Sequence, residues 1–225
     1  MERHHFEEEL KQMKRRLLHM AALVEERVHT AVRGLIERCG ETIEQVIGGD
    51  REIDNLQIEI DDRCLKLLAL QNPMAGDLRL ITAAMKINAD LERIGDQAVN
   101  IAEYAQKLIR LPLLKPPIDI PRMAEMAEAM TRDALDAFVR KDADLARRVL
   151  ERDDEVDDLK DQLFRELLTY MMADPSTIER ALALVLMSRS LERIADHATN
   201  IAEDAIFVIE ARDVRHHYRE ASESG

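Results

Sequence analysis

Apolar residues recur at steps of three and four along almost the whole chain, as in Leu17, Met20, Leu23/Val24, Val28, Ala31/Val32 and Leu35/Ile36. Such steps place side chains on one face of a helix with 3.6 residues per turn. No stretch alternates convincingly at period two, so strands are not expected. The pattern predicts a first helix from Phe6 to Cys39, stopped by Gly40. A second is predicted over 42–70, weakened or bent at Gly48-Gly49. Asn72-Pro73 and Gly76 mark the next turn, and Asp77 offers an N-cap for a third helix over 78–110. The segment RLPLLKPPIDIPR (110–122) holds four of the six prolines and cannot be helical throughout. Beyond it, helices are expected over 121–140 and 143–172. Asp174-Pro175, an N-cap followed by proline, opens a sixth over 175–212.

The second half repeats the first. LERIGDQAVNIAE (91–103) and LERIADHATNIAE (191–203) agree at ten of thirteen positions. A shift of 103 pairs residues 24–42 with 127–145 and sets Glu52, Asp54 and Leu56 on Glu155, Asp157 and Leu159. The three-residue difference between the two shifts falls near Asn72-Pro73. The expected fold is all-α, two tandem three-helix bundles. The first covers 6–110, a Pro-rich linker 111–120, and the second 121–212, with a frayed tail over 213–225. At 225 residues the chain can form one large core or two of half that size, and the repeat favours two.

Composition supports this reading. Charged residues make up 34%, tryptophan is absent, and no aromatic residue lies between Phe6 and Tyr104. Net charge is −13, which argues against nucleic acid and against direct docking on an anionic bilayer. The longest apolar runs, such as ALALVLM (181–187), are too short to cross a membrane, and MERHHFEEELKQMKRR is no signal peptide. Cys39 and Cys64 occur in one half only, which points to a reducing cytosol and to ordinary helix residues rather than a disulfide frame.

Both halves keep an acid face beside the apolar one. Leu91, Ile94/Gly95, Ala98, Ala102 and Ala105 form the apolar face of the third helix, and Glu92, Asp96, Asn100 and Glu103 fall on a neighbouring strip. The sixth helix repeats the strip as Glu192, Asp196, Asn200 and Glu203. Asp50 and Asp54 stand four apart on the second helix, as do Asp153 and Asp157 on the fifth. Oxygen donors of this kind suit hard cations such as Fe(III), Mn, Mg or Ca. A solvated acidic face accounts for the same pattern, since acids are 45 of 225 residues. Against it, like charges at i,i+4 repel, and neither aspartate pair has a Lys or Arg midway along its stripe. Arg93 and Arg193, at the edge of the strips, are expected to pair with nearby acids. A di-iron oxidase would need a Glu-x-x-His pair on each of two bundle helices, and that set is absent. His197 is read as incidental. No phosphate loop, nucleophile elbow or H-E-x-x-H is present, so no enzymatic chemistry is indicated.

At DREID (50–54), ERIGD (92–96), DDEVD (153–157) and ERIAD (192–196) the chain resembles the PhoU family of phosphate-specific transport system accessory proteins. DLRLI (77–81) and LLTYMMAD (167–174) strengthen the resemblance, which covers roughly 10–215. It implies a tandem repeat of three-helix bundles with an E(D)xxxD signature on two helices of each. It further implies a cytoplasmic negative regulator that couples the phosphate importer ATPase to a sensor histidine kinase and reaches the membrane only through those partners. A homodimer is compatible with it. Surface clusters of metal, iron or zinc first and manganese or magnesium next, are implied on Asp50, Asp54, Glu92 and Asp96, and on Asp153, Asp157, Glu192 and Asp196. Asn100, Glu103, Asn200 and Glu203 rank behind them. Metal is expected to divide equally between the halves, although Gly48-Gly49 should loosen the first site. A carboxylate-metal enzyme and a purely structural scaffold are the competing readings.

Overall fold

The computed structural model describes residues 2–49, 51–71 and 73–212. Among these residues seven α-helices run in order: α1 Glu2–Glu37, α2 Gly40–Gly48, α3 Arg51–Gln71, α4 Ala75–Leu108, α5 Asp119–Arg140, α6 Ala143–Ala173 and α7 Ile178–Glu210. No strand occurs among the described residues. The expected tail over 213–225 lies outside them. The second helix of the first repeat is broken into α2 and α3 around Gly49, whereas its counterpart α6 runs unbroken over 31 residues. The matched positions explain the difference, because Gly48 and Gly49 stand where α6 has Glu151 and Arg152. Glycine gives up about 1 kcal/mol of helix propensity relative to alanine.

The termini differ from expectation in instructive ways. Gly40 does not stop α1. Arg38 takes the left-handed turn instead, at φ 53°, and Lys141 does the same after α5 at φ 59°. These residues are matched by the shift of 103, so the turn belongs to the repeat rather than to a glycine. Arg38 offsets its strained backbone by donating from Nη2 to the carbonyls of Ile109 and Leu111, each at 2.6 Å. Cys39 precedes α2 in extended geometry rather than lying inside a helix. Met74, not Asp77, occupies the N-cap of α4, and Asp77 sits in the first turn, where its charge meets the positive end of the helix dipole. Asp142 caps α6 by accepting from the Leu145 N–H at 2.9 Å. Asp174 accepts from the Ser176 N–H at 2.9 Å, and a short 3-10 turn, Pro175–Thr177, leads into α7.

The two repeats do not keep separate cores. Buried apolar residues form one continuous cluster from Met13 to Val208. At its centre α4 and α7 pack along their lengths against each other, while α1 meets α5 beside them. Neighbouring pairs such as Ala83-Ala84, Ile101-Ala102 and Ile194-Ala195 are all buried. Adjacent helical residues point about 100° apart, so such pairs require a helix covered over a wide arc. The alanines allow the backbones to approach closely without forfeiting helix propensity. Thus α4 and α7 serve both their own bundle and the seam between bundles.

Candidate functional site

Repeat-matched residues meet across this seam. Arg93, Asp96 and Gln97 of α4, with Arg193, Asp196 and His197 of α7, line a polar cleft of about 570 Å³. His197 Nδ1 lies 2.9 Å from Asp90 Oδ1, and Asn200 Nδ2 donates to the same oxygen at 3.4 Å. Deeper along the seam, Lys86 Nζ stands 3.0 Å from Asp204 Oδ1. The carboxylates of Asp90 and Asp204 are nearly withdrawn from solvent, which makes each partner necessary, because a buried charge without one is costly. His197 therefore holds the repeats together. Asp90 and Lys86 were not legible as partners, although both break the repeat: their matches are Ser190 and Leu186.

Arg93 and Arg193 are exposed and form no ion pair among the described residues, so the expected pairing with neighbouring acids is not observed. Both reach instead into the seam cleft. A guanidinium at the mouth of an open, hydrated cleft loses little by remaining in water.

The acid face of the second repeat is assembled as the spacing suggests, with one addition. Lys160 Nζ lies 2.9 Å from Asp157 Oδ1 on its own helix and 3.1 Å from Glu192 Oε1 on α7. Asp161 Oδ1 is at 3.9 Å. Partial desolvation, reinforced by Glu192 and Asp157 nearby, pushes the Asp196 carboxyl above its ordinary value. Asp157, Glu192 and Asp196 thus share one local field, and α6 and α7 bring them together. The acids are not bare, however. Lys160 lies one turn beyond Asp157, outside the interval between Asp153 and Asp157 but on the same face.

In the first repeat Asp54 and Asp96 are exposed and Glu92 is half-buried, on α3 and α4. Asp50 lies outside the described residues. Asp153, matched to Asp50, is half-buried on α6. Asn100 donates to Gln97 Oε1 at 3.3 Å and, like Asn200, faces the seam rather than the acids of the companion helix. Glu103 is exposed and Glu203 half-buried further along the same helices. Among the described residues no group of three His, Cys, Asp or Glu side chains is arranged to hold a metal ion. In the second repeat the place between Asp157 and Glu192 is filled by an ammonium group.

Away from the acid faces the charges are largely matched. Arg63 pairs with Glu9 at 2.6 Å and Arg16 with Glu59 at 3.0 Å, at a second cavity of about 340 Å³ between α1 and α3. Glu25 of α1 accepts two hydrogen bonds from Arg132 of α5, at 2.8 and 3.1 Å. Burial, then the nearby Glu25, raises Glu128 to about 7. Glu25 and Glu128 are matched positions, so here too the seam brings the two copies of one residue together. Cys64 is buried in the core, which pushes its thiol up to about 12 and leaves it chemically quiet.

An all-helical chain whose two matched units share one core, with a carboxylate face on two helices of each, defines a tandem helical-repeat protein. The PhoU domain model matches residues 17–105 and again 120–205. The chain belongs to the PhoU family. It is 45% identical over 216 residues to the phosphate-specific transport system accessory protein PhoU homolog of Aquifex aeolicus, covering 96% of this chain and 98% of that one. Identity to the homolog of Pseudomonas putida is 42%, over 94% of this chain and 83% of the relative. The crystal structure of PhoU from Pseudomonas aeruginosa superposes with a TM-score of 0.88 at 40% identity, covering 92% of this chain and all of that one. That of the phosphate transport system regulatory protein PhoU from Streptococcus pneumoniae gives 0.86 at 29% identity, covering 93% and 99%. The printed descriptions of these relatives place those proteins in phosphate transport. No described helix is long and apolar enough to cross a membrane.

Proposed function

We propose that this chain is a non-catalytic, cytoplasmic regulator of phosphate uptake that restrains the phosphate importer and its sensor histidine kinase when phosphate is plentiful. The observation that carries the reading is the carboxylate signature that the sequence carries twice in each of the two matched repeats. The printed descriptions of the relatives, an accessory or regulatory protein of phosphate transport, support it. With a net charge of −13 the chain gains nothing from an anionic bilayer, so its route to the membrane runs through protein contacts with the importer ATPase and the kinase.

The acid faces are the working surface for cations in this reading. Their donors are all oxygen, which suits iron in its harder state, manganese or magnesium, with zinc as a borderline ion. Asp50, Asp54, Glu92 and Asp96 would hold the ion in the first repeat, and Asp153, Asp157, Glu192 and Asp196 in the second. Side chains must regroup to do so.

Removing the gene should leave phosphate-starvation genes switched on in rich medium, and removing the importer and kinase should release the protein into the soluble fraction. Normal repression without the chain would sink the regulatory role. Tight binding of the purified protein to protein-free anionic vesicles, with no divalent metal added, would sink the charge argument.

A further inference from the structure

We propose that the seam cleft is a binding site for inorganic phosphate, held from both repeats by Arg93 and Arg193 and distinguished from sulfate by Asp196. The inference rests on the reading of the chain as a phosphate regulator and supplies a ligand that this reading leaves open. Arg93 of α4 and Arg193 of α7 are one residue of the repeat in its two copies, and both line the same cleft of about 570 Å³. A guanidinium presents a planar fork of donors that matches the edge of a phosphate, and such charge-assisted bonds are roughly twice as strong as neutral ones. Two forks that reach one concave place from different helices can grip a tetrahedral anion on two of its edges.

Neutral donors lie beside them. Gln97 lines the cleft on the α4 side and accepts from Asn100 through Oε1 at 3.3 Å, so its amide nitrogen is left to donate. His197 spends Nδ1 on Asp90 at 2.9 Å, and Nε2 is the ring nitrogen it has for the cleft. Thr199 turns its hydroxyl back to the Asp196 carbonyl at 2.7 Å and plays no part. The cleft is much larger than one phosphate ion, so water fills the remainder and completes the shell of the ion.

Asp96 and Asp196 line the cleft as well, and a carboxylate repels an anion. The two arginines balance them, so the place is close to neutral in a chain of net charge −13. What the carboxylates exclude is an oxyanion without a proton. Phosphate near neutral pH keeps at least one hydrogen, which a carboxylate oxygen can accept. Sulfate keeps none and meets only a like charge. Sites that hydrogen-bond a hydroxyl of the ligand reject analogues lacking it, so aspartate beside arginine selects phosphate among oxyanions of its shape. Because the grip comes from α4 and α7, an occupied cleft ties the repeats together and stabilises the folded chain by mass action.

The test is binding of radiolabelled inorganic phosphate to the full chain by equilibrium dialysis and calorimetry, with chelator present and other oxyanions absent. The wild type should take up a single phosphate and melt at higher temperature as phosphate is added. Arg93→Gln and Arg193→Gln should each weaken binding at least about tenfold, because hydrogen bonds to a charged group are lost. The double variant should abolish binding and keep the circular dichroism and phosphate-free melting temperature of the wild type, since both side chains are exposed. Sulfate at equal concentration should not displace phosphate from the wild type, whereas Asp196→Asn should let it compete. A chain that binds no phosphate yet still represses the phosphate-starvation genes would sink this inference and leave the regulatory reading standing. Binding unchanged in the double arginine variant, equal competition by sulfate in the wild type, or discrimination unaltered by Asp196→Asn would each overturn it as well.

Discussion

Gly95 and Ile53 occupy the place where α3 meets α4, and their matches in the second repeat, Ala195 and Val156, have moved one methyl group from one partner to the other. A Cβ added to Gly95 would lie 3.1 Å from Ile53 Cδ1, 3.6 Å from Ile53 Cγ2 and 3.9 Å from Val24 Cγ2. Only the first of these is tight, and it involves the methyl that valine lacks. Gly95→Ala alone gains about 1 kcal/mol of helix propensity but overpacks the site by ~1–3 kcal/mol, so its net effect lies between neutral and a loss of about 2 kcal/mol. Ile53→Val alone costs ~1 kcal/mol for the missing methyl. In the double variant the new Cβ fills the vacated space. The propensity gain is then kept, and the protein should be as stable as the wild type or more stable by up to about 1 kcal/mol. The cycle should show a favourable coupling of at least about 1 kcal/mol, as found for residues in contact. Urea unfolding followed by helical circular dichroism, at constant slope, measures all four corners. The reciprocal pair, Ala195→Gly with Val156→Ile, should show the same sign. Effects additive to within about 0.5 kcal/mol would refute the compensation.

Lys141→Gly should stabilise the protein by about 1 kcal/mol, because glycine removes the left-handed strain after α5. Arg38→Gly should not gain likewise, since it gives up two hydrogen bonds to the carbonyls that follow α4. Glu128, raised to about 7 by burial and Glu25, binds its proton more tightly in the folded state. Its stabilising influence is full below the ordinary glutamate value and fades as pH rises through about 7. Glu128→Gln should therefore flatten part of the fall in stability across that window, by about 1–2 kcal/mol once screening at a half-buried site is allowed for. Unchanged pH dependence in the variant would contradict this. His197→Ala should cost ~1–3 kcal/mol by leaving the buried Asp90 with only the long contact from Asn200, whereas His197→Gln, the residue type of the first repeat, should recover much of it. Equal losses for the two would mean that the Asp90 contact is unimportant. Asp96→Asn with Asp196→Asn should lower the number of bound metal ions, and an unchanged stoichiometry would show that the ligands were misassigned.

The order and approximate extent of the helices were legible because amphipathic periodicity and proline are local signals, although the expected second helix is two, α2 and α3. The same holds for the duplication, the family and the strips of acids, which are properties of spacing along one helix. Helix ends were less legible. The left-handed residue after α1 is Arg38, and only the distant carbonyls of Ile109 and Leu111 explain why it is tolerated there. The break before α3 was visible in Gly48-Gly49, but whether two glycines bend a helix or end it depends on what packs around them.

Tertiary structure alone decided how the two repeats meet. A repeat predicts two like units, and it is silent on which faces join them. The wide buried arcs of α4 and α7 merge two expected cores into one, and the pairs His197–Asp90 and Lys86–Asp204 cross the seam where the matched residues are unlike. Lys160 makes the same point for the acid face. Along the chain it is one more lysine three residues after Asp157, and only the approach of α7 brings Glu192 within 3.1 Å and turns it into a cation shared by two helices. Sequence determines what each helix presents, because side-chain direction follows from local geometry. Which charges neutralise one another depends on distances between helices, and these are set by packing.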